Sequence, residues 1–162
     1  MATSISHNPA DTFVLGESWG RSVQFGQVIG LCGDLGAGKT QLVKGFARGL
    51  GIEARVHSPT FALINVYSGG RLTLFHLDLY RLDTPEQIIN AGLEEYLRPE
   101  GVTIIEWAER WFGSKPGGTV GDSELAGRGL LRSAPARRST LWVQIEILGE
   151  SERSISYEDL SA

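Results

Sequence analysis

One octapeptide of this sequence has the spacing of a phosphate-binding loop. It fits the pattern G-x-x-x-x-G-K-[ST] at every fixed position and reads Gly33-Asp34-Leu35-Gly36-Ala37-Gly38-Lys39-Thr40. Glycines at these positions let successive backbone N–H groups point into one concavity that binds phosphate oxygens. Lys39 supplies a positive charge to the outer phosphates, and the Thr40 hydroxyl is a ligand suited to Mg²⁺. The pattern predicts a nucleotide site in which Gln41, the next residue, also takes part.

Two acidic residues stand where predicted strands end. Glu106 follows the apolar residues 102–105, and Asp78 ends a second apolar segment. A triphosphate bound with Mg²⁺ requires a carboxylate, usually at the end of a strand beside the phosphate-binding loop. The predicted catalytic residues are therefore Lys39, Asp78 and Glu106, and the predicted metal ligands are Thr40, Asp78 and Glu106. The sequence leaves open which acid ligates the metal and which orients the attacking water.

Thr60 and Trp107 are further candidates for contact with the nucleotide. Thr60 belongs to Ser58-Pro59-Thr60, on a connection where a threonine can sense the outer phosphate and its metal. The alternative for this segment is a simple proline turn. Trp107 follows Glu106 and would point to the opposite side of the sheet if the strand continued. The sequence leaves three alternatives for its ring: contact with the base, contact with a partner protein, or a place in the core.

The histidines and the single cysteine show no metal-site pattern. His57 and His76 lack ligand spacing, so we expect them to be hydrogen-bonded structural or loop residues. Cys32 lies in an apolar segment and is expected to be a buried small hydrophobic residue. One cysteine excludes an intrachain disulfide, and we expect a reducing compartment, the cytoplasm.

Strands and helices alternate around the loop. An apolar strand over 28–32 precedes it, and a helix from Thr40 to about Leu50 follows it. Caps at Asn8 and Thr84 predict two more helices. The other predicted strands cover 61–67, 72–80, 102–106, 141–147 and 153–157, and the first two of these form a hairpin. This order predicts one α/β domain over 1–162, a three-layer P-loop NTPase-like fold with a mainly parallel sheet and an antiparallel hairpin component.

Composition and charge limit the classes of protein and of binding partner that the sequence allows. The chain has 162 residues, of which 41% are apolar and 21% are charged, as in ordinary globular proteins. No apolar run approaches the roughly 20 residues that span a bilayer, so we expect no membrane partner. The net charge of −4 argues against charge-driven binding of DNA or RNA. Residues 113–139 are rich in Gly, Ser, Pro and Arg and are predicted to form a mobile surface loop.

The choice of nucleotide and reaction allows several hypotheses. No lysine is followed two positions later by aspartate, so the guanine-reading motif N/T-K-x-D is absent from the sequence and ATP is the expected nucleotide. An ATPase is one hypothesis, and a small-molecule kinase that uses the arginine-bearing segment 113–139 as a lid is another. A third is an adaptor that acts only through its nucleotide-bound state.

Four segments resemble the TsaE family of bacterial tRNA threonylcarbamoyladenosine biosynthesis proteins. They lie between about Thr12 and about Trp111 and are the octapeptide above, Ser58-Pro59-Thr60-Phe61, His76-Leu77-Asp78-Leu79-Tyr80-Arg81 and Ile105-Glu106-Trp107. The resemblance implies a small P-loop ATPase that binds ATP or ADP with Mg²⁺ and works with TsaD and TsaB. Together these proteins install a threonylcarbamoyl group on N6 of adenosine 37 in tRNAs that read ANN codons. The resemblance implies that ATP hydrolysis supports repeated rounds of tRNA modification rather than the transfer of the group. It also implies that the ATPase contacts tRNA only as part of the complex.

The resemblance also implies a role for each matching residue. Besides the phosphate cradle, it implies that Thr40 and Glu106 bind Mg²⁺, directly or through water. Asp78 would serve the metal or the catalytic water, 58–60 would form a switch-like loop, and Trp107 would lie near the nucleotide.

Some parts of the chain match the family only loosely or depart from it. The adenine would lie against the N-terminal segment 9–12, where the match is loose. The segment 113–139 is longer than the compact family version. Glu150 follows Gly149 at a position where arginine is common in the family. We expect Arg153 to be the candidate that replaces this arginine as a nucleotide contact.

Overall fold

Seven strands and four α-helices make up the part of the chain that the computed structural model describes, residues 2–113 and 140–159. The strands are β1 (Ala2–Ser6), β2 (Val28–Cys32), β3 (Ile64–Tyr67), β4 (Leu74–Asp78), β5 (Val102–Glu106), β6 (Thr140–Ile147) and β7 (Arg153–Asp159). The helices are α1 (Pro9–Ser22), α2 (Lys39–Gly49), α3 (Pro85–Asn90) and α4 (Glu109–Phe112), with a 3₁₀ helix at Leu93–Leu97. Strands and helices therefore alternate around the phosphate-binding loop, as predicted.

All seven strands belong to one sheet with the order β1-β7-β6-β2-β5-β4-β3. The central strands β6, β2, β5 and β4 pair in parallel, whereas β1, β7 and β3 pair antiparallel towards the two edges. Because parallel strands end at the same edge of a sheet, the carboxyl ends of β2, β5 and β4 meet. The register places Asp78 of β4 opposite Glu106 of β5.

Two apolar cores lie on opposite faces of this sheet. Ile29 and Leu31 of β2 point into one core together with Phe46 of α2. Val28 and Cys32 of the same strand point into the other core. A strand that is apolar at every position must be covered on both faces, because successive side chains alternate between them. The predicted three-layer α/β class with an antiparallel component is confirmed.

Helices α1 and α2 pack closer together than side chains would allow. A Cβ atom at Gly45 of α2 would lie 1.9 Å from the carbonyl oxygen of Phe13 in α1. This packing holds the amino end of α1 beside the amino end of α2, where Gln41 Nε2 donates to the carbonyl oxygen of Pro9 at 3.2 Å. The start of α2, which follows the phosphate-binding loop, is therefore supported by α1.

The two predicted helix caps are confirmed. Asn8 Oδ1 accepts a hydrogen bond from the backbone nitrogen of Asp11 at 2.9 Å at the start of α1. Thr84 Oγ1 accepts one from the backbone nitrogen of Gln87 at 3.2 Å at the start of α3. Each cap satisfies an N–H group that the first turn of a helix cannot pair internally.

The hairpin strands were predicted too long, and β1 was not predicted. β3 begins at Ile64 rather than Phe61, because Leu63 has a φ of 67° and its backbone nitrogen bonds to the carbonyl oxygen of Pro59 at 2.7 Å in a turn. β4 covers Leu74–Asp78 rather than 72–80. β1 becomes a strand by pairing with β7. This contact is long-range, and the residues of β1 alone do not predict it.

Three other expectations concern burial, the long loop and membranes. Cys32 is buried, as expected, and burial raises the pKa of its thiol. The predicted loop over 113–139 lies outside the described residues except for Gly113. Within 2–113 and 140–159, no helix combines the length and apolar character that crossing a membrane requires.

Candidate functional site

The phosphate-binding loop connects β2 to α2 and is shaped by its glycines. Gly33, Gly36 and Gly38 have φ angles of 152°, 81° and 102°, in a region that residues with a Cβ atom rarely adopt. A Cβ at Gly33 would also lie 2.6 Å from the carbonyl oxygen of Ile145 in β6. Because α2 begins directly after Gly38, the unpaired N–H groups of its first turn lie at the loop. This is the backbone arrangement that binds an anion.

Lys39 is buried against the loop, with 5% of its surface exposed. Its Nζ donates to the carbonyl oxygens of Gly33 at 2.5 Å and Asp34 at 2.9 Å. It also lies 3.9 Å from the centroid of the Trp107 ring. The ion pairs among the described residues do not include Lys39.

The charge of Lys39 makes the site suited to an anion. Burial lowers the pKa of Lys39, and the carboxylates of Glu106, Glu109 and Asp78 oppose part of this shift. An ammonium group that is buried without an ion-pair partner gains a charge-assisted hydrogen bond when a phosphate oxygen approaches it. The residues present therefore fit a phosphate group.

Glu106, at the carboxyl end of β5, links α2 to β4. Its Oε1 accepts a hydrogen bond from Thr40 Oγ1 at 2.8 Å, and its Oε2 lies 2.6 Å from His76 Nε2. His76 is fully buried, and its Nδ1 has no hydrogen-bond partner in the described part of the chain. The ring donates to Glu106 when its proton is on Nε2. The expectation that His76 is a hydrogen-bonded structural residue is confirmed, and the residue it holds is a predicted metal ligand.

Asp78, at the carboxyl end of β4, holds the connection that contains Thr60. Its Oδ2 accepts from Ser58 Oγ at 2.5 Å and from Thr60 Oγ1 at 3.1 Å. Its Oδ1 accepts from the backbone nitrogen of Tyr80 at 2.9 Å. Both carboxylate oxygens are thus used by protein donors, and the segment 58–60 is tied to the sheet edge through side chains.

Trp107 packs against the core that contains Val28 and Cys32, and together with Glu106 it lines the cavity described below. The condition for opposite directions, a strand that continues through Trp107, is not met. β5 ends at Glu106, and Trp107 has a φ of 60°, which breaks the alternation of a strand. Its ring packs against Tyr80, with 5.1 Å between the ring centroids. A non-glycine residue held in this conformation beside a buried lysine is typical of a functional site.

The polar groups surround an open cavity of about 520 Å³, a size suited to a small-molecule ligand. The predicted site residues that line it are Leu35, Gly36, Gly38, Lys39, Thr40, Gln41, Thr60, Asp78, Glu106 and Trp107. Gly33, Asp34 and Ala37 do not line it: the first two present carbonyl oxygens to Lys39, and Ala37 is fully buried.

Two parts of the chain that are expected near the nucleotide lie outside the lining of this cavity. The N-terminal segment 9–12 does not line it; Pro9 reaches the site only through its hydrogen bond with Gln41. Arg153 does not line it either, because its guanidinium group is bound to carbonyl oxygens of the phosphate-binding loop. Tyr80 lines the cavity and was not singled out from the sequence, although it lies two positions after Asp78 in the same motif.

A magnesium ion fits this site when it is shared with phosphate and water. The described residues contain no group of three or more His, Cys, Asp or Glu side chains that could hold a metal ion. Mg²⁺ is commonly bound through one or two protein oxygens together with substrate phosphates and waters. Thr40 Oγ1 and Glu106 Oε1, 2.8 Å apart, are two oxygens of the right kind.

Sequence comparison identifies relatives of this chain. The sequence profile described as "Threonylcarbamoyl adenosine biosynthesis protein TsaE" matches residues 6–125. The tRNA threonylcarbamoyladenosine biosynthesis protein TsaE of Treponema pallidum is 46% identical over 116 residues, which cover 72% of this chain and 85% of that protein. The TsaE protein of Bacillus subtilis is 45% identical over 101 residues, 62% of this chain and 63% of that protein. The second match therefore spans less than two thirds of the relative's length.

Structural comparison agrees with the sequence match. The crystal structure of Bacillus subtilis YdiB superimposes with a TM-score of 0.71 at 31% sequence identity. The superposition covers 98% of this chain and 85% of that chain. Because the family profile covers most of the sequence and a relative shares nearly half of its aligned residues, this chain belongs to the TsaE family.

Proposed function

We propose that this chain is an ATPase that binds ATP with Mg²⁺ at the phosphate-binding loop. The observation that supports this most strongly is the contact of Thr40 with Glu106 at 2.8 Å, next to the buried ammonium group of Lys39. A hydroxyl, a carboxylate and a cation of this kind are the groups that a magnesium triphosphate requires. Their convergence at the end of parallel strands favours a nucleotide site over a simple glycine-rich turn.

Each group has a distinct role in this proposal. The backbone N–H groups of 35, 36 and 38–40 bind phosphate oxygens, whereas that of Ala37 donates to the carbonyl oxygen of Asp34 at 3.0 Å. Lys39 exchanges its carbonyl partners for the outer phosphates. Thr40 and Glu106 hold Mg²⁺, which when bound neutralises negative charge on the phosphates. The bonds from Ser58 and Thr60 to Asp78 lead us to assign Asp78 to the ordering of that connection and of the attacking water. Hydrolysis then releases ADP, inorganic phosphate and a proton.

We expect hydrolysis by the isolated chain to be slow. Fast P-loop enzymes stabilise the charge of the transition state with an arginine, supplied by the same chain or by a partner. In the described ranges no arginine lines the cavity. A partner protein therefore has to complete or order the site.

The names of the relatives support a role for this chain in tRNA modification. We propose that the ATPase acts with homologues of TsaD and TsaB in the cytoplasm, to form N6-threonylcarbamoyladenosine at position 37 of tRNAs that read ANN codons. Hydrolysis supports repeated rounds of this modification rather than the transfer of the threonylcarbamoyl group. The chain contacts tRNA only as part of the complex.

Reconstitution of adenosine-37 modification with and without this chain tests the proposal. With TsaB, TsaD and an excess of tRNA, we expect modification beyond one round only when this chain and ATP are present. Glu106→Gln should keep nucleotide binding but stop the repeated rounds, whereas the exposed Glu146→Gln should behave as the unchanged protein. Full repeated modification with Glu106→Gln would instead support an adaptor that acts by its bound state.

A second measurement separates an ATPase from a small-molecule kinase. The segment 114–139, on which the kinase hypothesis rests, lies outside the described residues. Incubation with ATP labelled at the γ-phosphate and a pool of metabolites should release the label only as free phosphate. Label recovered on a metabolite would favour the kinase and contradict the ATPase.

A further inference from the structure

Arg153, the first residue of β7, connects the turn between β6 and β7 with the phosphate-binding loop. Its Nε donates to the carbonyl oxygen of Ala37 at 3.1 Å, and its Nη2 donates to that of Gly36 at 3.2 Å. Its Nη1 donates to the carbonyl oxygens of Gly149 at 2.7 Å and Glu152 at 2.8 Å. One planar group therefore holds two segments that are more than a hundred positions apart in the chain.

One of the two loop carbonyl groups that Arg153 contacts, that of Gly36, belongs to an open part of the loop. Gly36 has a φ of 81°, and no atom lies within 4 Å of the position that a Cβ would occupy there. Glycine adopts this conformation without strain, but its backbone is equally free to leave it, so contacts from outside are needed to hold it there. In a loop that binds phosphate, the N–H groups point into the concavity and the carbonyl groups point away from it. A bond to the carbonyl of one peptide unit therefore also fixes the direction of the N–H group in the same unit.

We propose that Arg153 is a positioning residue of the phosphate-binding loop: by binding the carbonyl of Ala37, it keeps the N–H group of Gly38 aimed at phosphate. By binding the carbonyl of Gly36, it also holds the peptide unit whose N–H group, that of Ala37, donates to the carbonyl oxygen of Asp34 at 3.0 Å. This inference rests on the proposed function, because it assigns Arg153 to the same nucleotide site. Arg153 acts without touching the nucleotide, which agrees with its position outside the lining of the cavity. It thus differs from the nucleotide contact that the sequence suggested.

The geometry of the guanidinium group makes the proposal testable by a conservative change. Arginine presents its donors in a rigid planar fork, whereas lysine has one flexible ammonium group. Arg153→Lys keeps the positive charge near the turn but cannot bind both loop carbonyls and the turn together. Arg71→Lys is a matched control, since Arg71 Nη2 also donates to two carbonyl oxygens, those of Gly20 and Val23, each at 2.8 Å. Those carbonyls lie at the far end of α1, away from the cavity.

The experiment measures two properties of the full chain. Calorimetry with ADP and Mg²⁺ gives the nucleotide affinity, and hydrogen–deuterium exchange of the nucleotide-free protein gives the protection of the amides of 34–38. For Arg153→Lys we expect an affinity lower by about tenfold, the effect of losing roughly one charge-assisted hydrogen bond, and faster exchange in 34–38. For Arg71→Lys we expect unchanged affinity and unchanged exchange in the loop.

Each other outcome has a defined meaning. Unchanged affinity of Arg153→Lys would overturn the inference, as would a lower affinity with unchanged exchange, because Arg153 would then act through its charge alone. Equal losses in Arg153→Lys and Arg71→Lys would also overturn it, since they would report a general loss of stability. If the unchanged protein itself failed to bind ADP, the proposed function would fail, and the exchange of 34–38 would still decide whether Arg153 holds the loop.

Discussion

The Thr40 hydroxyl donates to Glu106 Oε1 at 2.8 Å, although 66 positions separate the two residues in the chain. Thr40 lies in the first turn of α2, and Glu106 is the last residue of β5. The contact joins the phosphate-binding loop to the neighbouring strand, and His76 holds the other oxygen of the same carboxylate. Two oxygens suited to Mg²⁺ are thus positioned by buried groups before any ligand binds, which reduces the cost of ordering them on binding.

Removal of the Lys39 ammonium group should weaken nucleotide binding. Lys39→Met keeps most of the apolar stem but removes a charged donor, and we expect a loss of about 1.5–3 kcal/mol in the binding free energy of ADP. Lys44→Met is the control, because Lys44 is exposed on the same helix and does not line the cavity. Calorimetry measures both affinities. If Lys39→Met and the unchanged protein bound ADP with equal affinity, Lys39 would make no contribution to nucleotide binding.

The lowered pKa of Lys39 should make the stability of the nucleotide-free protein depend on pH. Burial lowers this pKa below its ordinary value of 10.5, so between the two values the unfolded chain binds more protons than the folded one. The contribution of Lys39 to the free energy of unfolding should then rise with pH. Urea titrations from about pH 7 to about pH 10 should show the unchanged protein gaining stability relative to Lys39→Met. A difference between the two that does not vary with pH would contradict the prediction.

His76 should stabilise the fold through its bond to Glu106. His76→Leu leaves the buried Glu106 Oε2 without its donor, and we expect the free energy of unfolding to fall by about 1–3 kcal/mol. His76→Gln retains an N–H donor on a side chain of similar reach and should recover part of this loss. Urea titration measures both variants. If the leucine variant were as stable as the unchanged protein, the bond would make no net contribution.

The close packing of α1 and α2 should make Gly45 intolerant of a side chain. The Cβ of Gly45→Ala would meet the backbone oxygen of Phe13 at 1.9 Å, so the two helices have to separate. We expect a destabilisation of about 1–3 kcal/mol by thermal or urea unfolding. Gly149→Ala is the control, because nothing lies within 4 Å of its added Cβ, and it should change stability by less than about 0.5 kcal/mol. Similar values for the two variants would show that the helices adjust freely.

The match between sequence and structure is best where the chemistry is local. The phosphate-binding loop could be predicted because eight adjacent residues contain all of its elements, and the strand and helix beside it have clear hydrophobic periods. Glu106 and Asp78 could be predicted as site residues because each ends an apolar strand, and their position opposite each other follows from the register of β4 and β5. β3 was predicted too long because alternation of apolar residues does not reveal the φ of 67° at Leu63.

The sequence by itself determined the class of the fold, the loop and the identity of the acids beside it. Only the tertiary structure decided that His76 binds Glu106, that Asp78 binds Ser58 and Thr60, and that Arg153 binds the loop from behind. It also decided that the Trp107 ring lies beside Lys39, in a residue whose positive φ follows the end of β5. The physical reason is that periodicity records which side of an element is buried, whereas the partner across that buried surface is selected by the packing of the whole sheet and its helices.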